Sequence, residues 1–80
     1  SLQLHNQRVE HWIVVSGEAT ITVDDKVSIL LVDQSTYIPK RAKHRLENNT
    51  QKELVIIEVQ LGDYLGEDDI QRFDDIYSRI

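Results

Sequence analysis

A chain of 80 residues is one domain at most, and its net charge of −5 argues against a nucleic-acid surface, which needs clustered positive charge. No apolar run approaches the ~20 residues that span a bilayer, and no signal peptide is visible. Cysteine is absent, so there is neither a disulfide framework nor a Cys-ligated zinc, and a cytoplasmic location is expected.

The chain opens at Ser1-Leu2-Gln3 inside a strand-like pattern and without methionine, which reads as a fragment of something longer. Residues 9–16 are β-branched and aromatic, the composition of a strand, and Gly17 ends it. Over residues 18–23 the period is two, with Ala19, Ile21 and Val23 on one face and Thr20 and Thr22 on the other. Asp24-Asp25-Lys26 turns into a further strand over 27–32, making a hairpin. After the turn at Asp33-Gln34-Ser35, a short strand over 36–38 is closed by Pro39, which cannot donate to a sheet. Residues 44–47 begin another strand, Asn48-Asn49-Thr50 turn, and residues 53–61 form the longest apolar strand. About seven short strands with turns every 8–12 residues are the pattern of a sandwich or closed barrel. Beyond Gly62 the period changes. Ile70, Phe73, Ile76, Tyr77 and Ile80 recur at three and four, behind Glu67, Asp68 and Asp69, so a short terminal helix is expected.

The residues that carry chemistry lie near both sides of this pattern. Residues two apart on a strand share a face, so His5 and Gln7 point the same way. Glu10 joins them if residues 8–9 form a kink; in a regular strand His11 has the matching parity and is the alternative. His44 follows the proline turn, and a barrel can bring its strand beside the first. Imidazole nitrogen with carboxylate oxygen suits zinc, cobalt, nickel, manganese or iron, zinc being expected first. A lone strand histidine is more often structural, and it is the grouping that favours a metal.

Trp12 reads as core. Arg8 is either a surface residue or a group reaching an anion in the pocket. Lys40, Arg41, Lys43 and Arg45 form a basic patch in an acidic chain, which is either a solvated loop or a site for a small anion such as phosphate. Arg72 reads as an ion-pair partner within the expected helix.

Four segments carry a family resemblance: Glu10 to Gly17, Gln34 to Pro39, His44 to Asn48, and Ile57 to Gln60 continuing through Gly62 to Ile70, Arg72, Phe73, Asp75 and Tyr77. Through them the chain resembles the C-terminal cupin domain of type II mannose-6-phosphate isomerases, enzymes often fused to a mannose-1-phosphate guanylyltransferase. The likeness runs from Ser1 to about Arg79. The resemblance implies an all-β, cupin-type double-stranded β-helix (a jelly-roll barrel), truncated at the N-terminus, with residues 1–80 as a single cupin domain. The family's opening motif, Gln-x-His-x-His-Arg-x-Glu-His-Trp, is met by Gln3, His5, Arg8, Glu10, His11 and Trp12. Gln7 stands where the second histidine belongs, and Arg41 where cupins commonly have glycine. Glu10 to Gly17 matches the cupin spacing of six intervening residues.

The resemblance further implies a metal held by His5, Gln7, Glu10 and His44, and interconversion of mannose 6-phosphate and fructose 6-phosphate. The reaction is a metal-assisted proton transfer through an enediol. Glu58 is the candidate base, and Arg8, Lys40, Arg41 and Lys43 are candidates for the substrate phosphate. No Gly-rich nucleotide loop is present, so guanylyltransferase activity is not implied here. The rivals are a non-catalytic cupin module, binding sugar phosphate or dimerising through β-strands with a degraded metal site, and a two-histidine, one-carboxylate Fe(II) oxygenase. The expected partners are a small-molecule sugar phosphate and a second copy in a homodimer through β-strands, with neither a membrane nor a nucleic acid.

Overall fold

The computed structural model describes residues 2–73. Eight strands follow one another: β1 (Leu2–Leu4), β2 (Arg8–Ser16), β3 (Ala19–Val23), β4 (Lys26–Leu30), β5 (Ser35–Ile38), β6 (His44–Glu47), β7 (Val55–Gly62) and β8 (Gln71–Phe73). All pairings are antiparallel. A five-stranded sheet has the order β4-β3-β6-β1-β8 and a three-stranded sheet the order β5-β2-β7. The arrangement is all-β and compatible with a β-sandwich.

Period two decides what β2 and the start of β3 bury. Along β2 the residues Arg8, Glu10, Trp12 and Val14 are buried, while His11, Ile13 and Val15 between them are exposed. On β3 Ala19 and Ile21 are buried. These inner faces make the core: Trp12, Val14 and Ile38 from the smaller sheet meet Ala19 and Ile21 from the larger. Leu46, Leu54 and Ile56 pack around them.

Turn chemistry holds the strands in register. Val23 pairs with Lys26 across a two-residue turn in which Asp24 has φ of 52°. Gly17 sits at φ of 87°, and a Cβ there would strike the carbonyl oxygen of Glu53. At Gly62 the constraint is proximity, because a Cβ would run into the Gln7 carbonyl and the Arg8 backbone. Gly62 therefore lets β7 lie against the start of β2, where it is the partner of Arg8.

The helix expected after Gly62 is not present as far as the described residues go. Gly66 to Asp69 is a turn, closed by the Asp69 amide donating to the Gly66 carbonyl at 3.1 Å, and Gln71–Phe73 is a strand. The physical reason is β1, which would otherwise leave one edge of its backbone unpaired; β8 supplies the missing partner, with Leu2 opposite Phe73 and Leu4 opposite Gln71. Ile76, Tyr77 and Ile80, the rest of the expected helix, lie outside the described residues. Among the described residues no helix is long and apolar enough to cross a membrane.

Candidate metal centre

The site begins where β1 ends. His5 follows Leu4, and the chain bends at Asn6 and Gln7 before β2 starts at Arg8. That bend breaks the strand parity on which the pairing of His5 with Gln7 depends. His5 is buried and Gln7 is exposed, so the amide is not among the clustered groups. From Arg8 onward alternation resumes and places Glu10 on the inner face and His11 on the outer one, where its ring meets Tyr37 at 4.8 Å. The bend falls at residues 6–7, not at the 8–9 kink anticipated from sequence. His44 opens β6, which pairs with β1, and Gln3 is its register partner.

His5, Glu10 and His44 thus converge, with one potential ligand atom from each lying within 4.8 Å of the others. All three are buried, at 6%, 2% and 4% exposure. The two imidazoles lie 5.1 Å apart between ring centres. Each is oriented by a backbone carbonyl. His5 Nδ1 is 2.6 Å from the Asp69 oxygen and His44 Nδ1 is 3.2 Å from the Ala42 oxygen. A carbonyl only accepts, so each Nδ1 carries the proton and each Nε2 keeps its lone pair. Burial lowers the His44 pKa below the usual imidazole value, against the backbone bond and the Glu10 charge, which both raise it. This favours the neutral, ligating form.

Glu10 is oriented too. Trp12, two residues along the same face, donates its indole N–H to Oε1 at 2.7 Å, and Arg8 Nε donates to Oε2 at 2.8 Å. Arg8 Nη2 also lies 3.0 Å from His5 Nε2. Arg8 is 6% exposed, and its Nη1 is buried without a hydrogen-bond partner. A buried guanidinium nitrogen lacking an acceptor is costly, and it points to an anionic or carbonyl oxygen as its natural complement.

A cavity of about 180 Å³ opens over the cluster, lined by Gln3, His5, Arg8, Glu10, Trp12, His44, Leu46 and Glu58. Glu58 reaches it because it is the register partner of Trp12 and so shares the inner face. Burial, then the Glu10 charge, raise the Glu58 pKa above its ordinary value. Gln60 donates to its carboxylate at 3.4 Å.

The basic patch is placed differently. Lys40, Arg41 and Lys43 are exposed, and none lines the cavity. Arg41 has φ of 65°, a left-handed conformation that favours glycine. Its amide donates to the His5 carbonyl at 2.7 Å and its guanidinium to Asn6 Oδ1.

Two contributors escaped sequence reasoning. The Trp12 contact to Glu10 was available from alternation, since residues two apart on a strand are neighbours on one face. Asp69 left no local signal. It is 6% exposed and accepts the amides of Asn6 at 3.0 Å and Gln7 at 2.9 Å. Burial opposes its ionisation, but these two amides, together with the nearby His5 and Arg8, hold the carboxyl below the ordinary range.

The fold and site together define a small antiparallel β domain with a buried two-histidine, one-carboxylate cluster. The chain belongs to the family described as Mannose-6-phosphate isomerase C-terminal, which matches residues 1–75. It is 61% identical over 79 residues to alginate biosynthesis protein AlgA of Pseudomonas fluorescens, covering 99% of this chain and 16% of that protein. It is 58% identical over 79 residues to xanthan biosynthesis protein XanB of Xanthomonas campestris pv. campestris, covering 99% of this chain and 17% of the relative. The mannose-1-phosphate guanylyltransferase ManC of Salmonella typhimurium is 48% identical over 80 residues, covering 100% of this chain and 17% of its own length. The chain therefore spans about one-sixth of the length of these curated relatives.

Proposed function

We propose that this chain carries the isomerase site of its parent protein, interconverting mannose 6-phosphate and fructose 6-phosphate by moving a proton between C1 and C2 through an enediol. The observation that carries the reading is the convergence of His5 Nε2, Glu10 and His44 on a cavity that also presents Arg8 and Glu58. On this reading the two sheets are a cupin-type jelly roll, and the cluster is its metal site. The donor set fits a divalent cation, since both imidazoles have Nδ1 engaged by a carbonyl. Zinc comes first, with cobalt, nickel, manganese and iron as alternatives. Such a cation would supply Lewis-acid polarisation of the sugar oxygens.

The remaining roles fall to the chain itself. Glu58 takes the carbon-bound proton, and its raised pKa suits it to hold that proton before returning it to the neighbouring carbon. Arg8 donates its free Nη1 to a substrate oxygen that gains negative charge as the proton leaves. Trp12 and Leu46 give the cavity an apolar wall that limits water. Lys40 and Lys43, exposed on the turn that leads into His44, meet the phosphate outside the cavity.

Elemental analysis of the purified protein and of His44→Ala, paired with a mannose 6-phosphate isomerisation assay, tests this. Near-stoichiometric metal that is lost in the variant is expected. A protein that takes up none of the five metals and leaves the sugar phosphate unchanged would sink the reading.

A second reading, an assembly module, draws on the outer face of the smaller sheet. Ile13, Val15, Ile57, Val59 and Leu61 are all exposed there, between 37% and 54%. An apolar sheet face of this kind fits packing against another surface, such as a second copy in a strand-mediated dimer. Sedimentation of the wild type and of Ile57→Lys separates this reading from a monomer.

A further inference from the structure

We infer that Asp69 is a positioning residue of the centre, holding His5 as its Nδ1–H tautomer together with Arg8, so that Nε2 faces the cavity. The geometry stands by itself; its purpose rests on the metal-site reading above.

His5 lies outside any strand, between the end of β1 and the bend at Asn6 and Gln7. A side chain on irregular backbone is oriented only by what its neighbours impose. Its own carbonyl is held by the Arg41 amide at 2.7 Å. Its ring is held by the Asp69 carbonyl at 2.6 Å, a contact across 64 residues of sequence. That carbonyl is presented because the Asp69 carboxylate is fastened to the same bend, with Oδ1 on the Asn6 amide and Oδ2 on the Gln7 amide. One residue therefore grips the loop with its side chain and sets the imidazole with its backbone. The turn behind it is closed by the Asp69 amide on the Gly66 carbonyl.

His44 supplies the contrast. Its Nδ1 is bonded to Ala42, two residues away on the same turn, so its orientation is local. Loss of the Asp69 carboxylate would leave two amides without acceptors and free the turn to move off. The His5 ring would then lose its acceptor at Nδ1. Arg8 Nη2, 3.0 Å from Nε2, can only donate and still disfavours a proton there, so the expected change is a ring less firmly held, with a minor Nε2–H population at the nitrogen that must be bare to bind a metal.

The test is ¹⁵N-histidine NMR of the metal-free protein at a mildly alkaline pH, for the wild type, Asp69→Asn and Asp69→Ala. His5 is expected as the Nδ1–H tautomer in the wild type, and to gain a measurable Nε2–H fraction in Asp69→Ala, held down by the Arg8 donor 3.0 Å from Nε2. Asp69→Asn keeps one acceptor oxygen and falls between. His44 stays Nδ1–H throughout and reports that the fold is intact. In parallel, zinc affinity by chelator competition falls about 10- to 100-fold in Asp69→Ala, the usual effect of losing a partner that orients a ligand. An unchanged His5 tautomer in both variants overturns the inference. If Asp69→Ala does not fold, Asp69→Asn with a wild-type tautomer and wild-type zinc affinity overturns it equally. A tautomer shift in a protein that never binds zinc upholds the positioning role and overturns the metal reading instead.

Discussion

The two faces of β2 invert the usual arrangement of a sheet. The inner face carries Arg8 and Glu10 before Trp12 and Val14, so half of it is charged and all of it is buried. The outer face carries Ile13 and Val15, with Ile57 and Val59 beside them on β7, and all four are exposed. Burying a charge costs several kcal/mol unless it is paired, and leaving apolar area in water forgoes roughly 25 cal/mol per Å². A domain built for stability alone would exchange the two. On the function proposed above, the inner face is arranged around a ligand and the outer one around a covering surface.

The largest disturbance to this contrast is expected from Glu10→Ala. It leaves the buried Arg8 without its carboxylate and the Trp12 indole without its acceptor. A loss of about 3–5 kcal/mol is expected, from the rule for breaking one side of a buried pair, read by denaturant unfolding. Metal uptake should vanish with it. A loss under about 1 kcal/mol would show that the pair is solvated and that the inner face is not the constrained one.

Next in size is the comparison of two adjacent valines. Val14 is 1% exposed and Val15 46%. Val14→Ala should cost about 2 kcal/mol and Val15→Ala less than ~0.5 kcal/mol in the same unfolding measurement. Equal costs would mean that the outer face is already covered in solution.

The smallest effect is a change of slope with pH. Burial and the nearby Glu10 raise the Glu58 pKa above 4.5. Between 4.5 and that raised value the folded protein keeps a proton that the unfolded chain has released. The stability Glu58 contributes is therefore complete below pH 4.5 and is lost as pH rises through the folded pKa. Glu58→Gln removes the titrating group, so melting temperature should fall less between acid and neutral pH than in the wild type. Superimposable profiles would place Glu58 in solvent and remove it as the base.

Much of this architecture was legible in the residues, for reasons that differ by element. Strands β2, β3, β5, β6 and β7 follow from alternation and β-branching bounded by Gly17, Asp24, Pro39 and Asn48, which are local properties. The terminal helix did not follow. Ile70 and Phe73 satisfy helical spacing, but a strand there completes the pairing of β1, and pairing is a long-range demand that local periodicity cannot register. In the site, His5, Glu10 and His44 could be named as candidates from residue type and spacing. The choice of Glu10 over His11 rested on the family spacing to Gly17, since strand parity alone favoured His11 and parity fails where the chain bends.

What the sequence by itself determined is the identity of the donors, the family motifs that carry them, and the face of β2 on which Glu10 and Trp12 sit together. Period two is a property of the single strand and needs no partner. Tertiary structure decided which donors meet. The bend at Asn6 and Gln7 turns the glutamine out and admits Glu10, and the turn from Gly66 to Asp69 returns across the molecule to set the His5 proton. A hydrogen bond is short-ranged and directional, so whether an imidazole presents its lone pair depends on an acceptor that only the folded chain can bring to it.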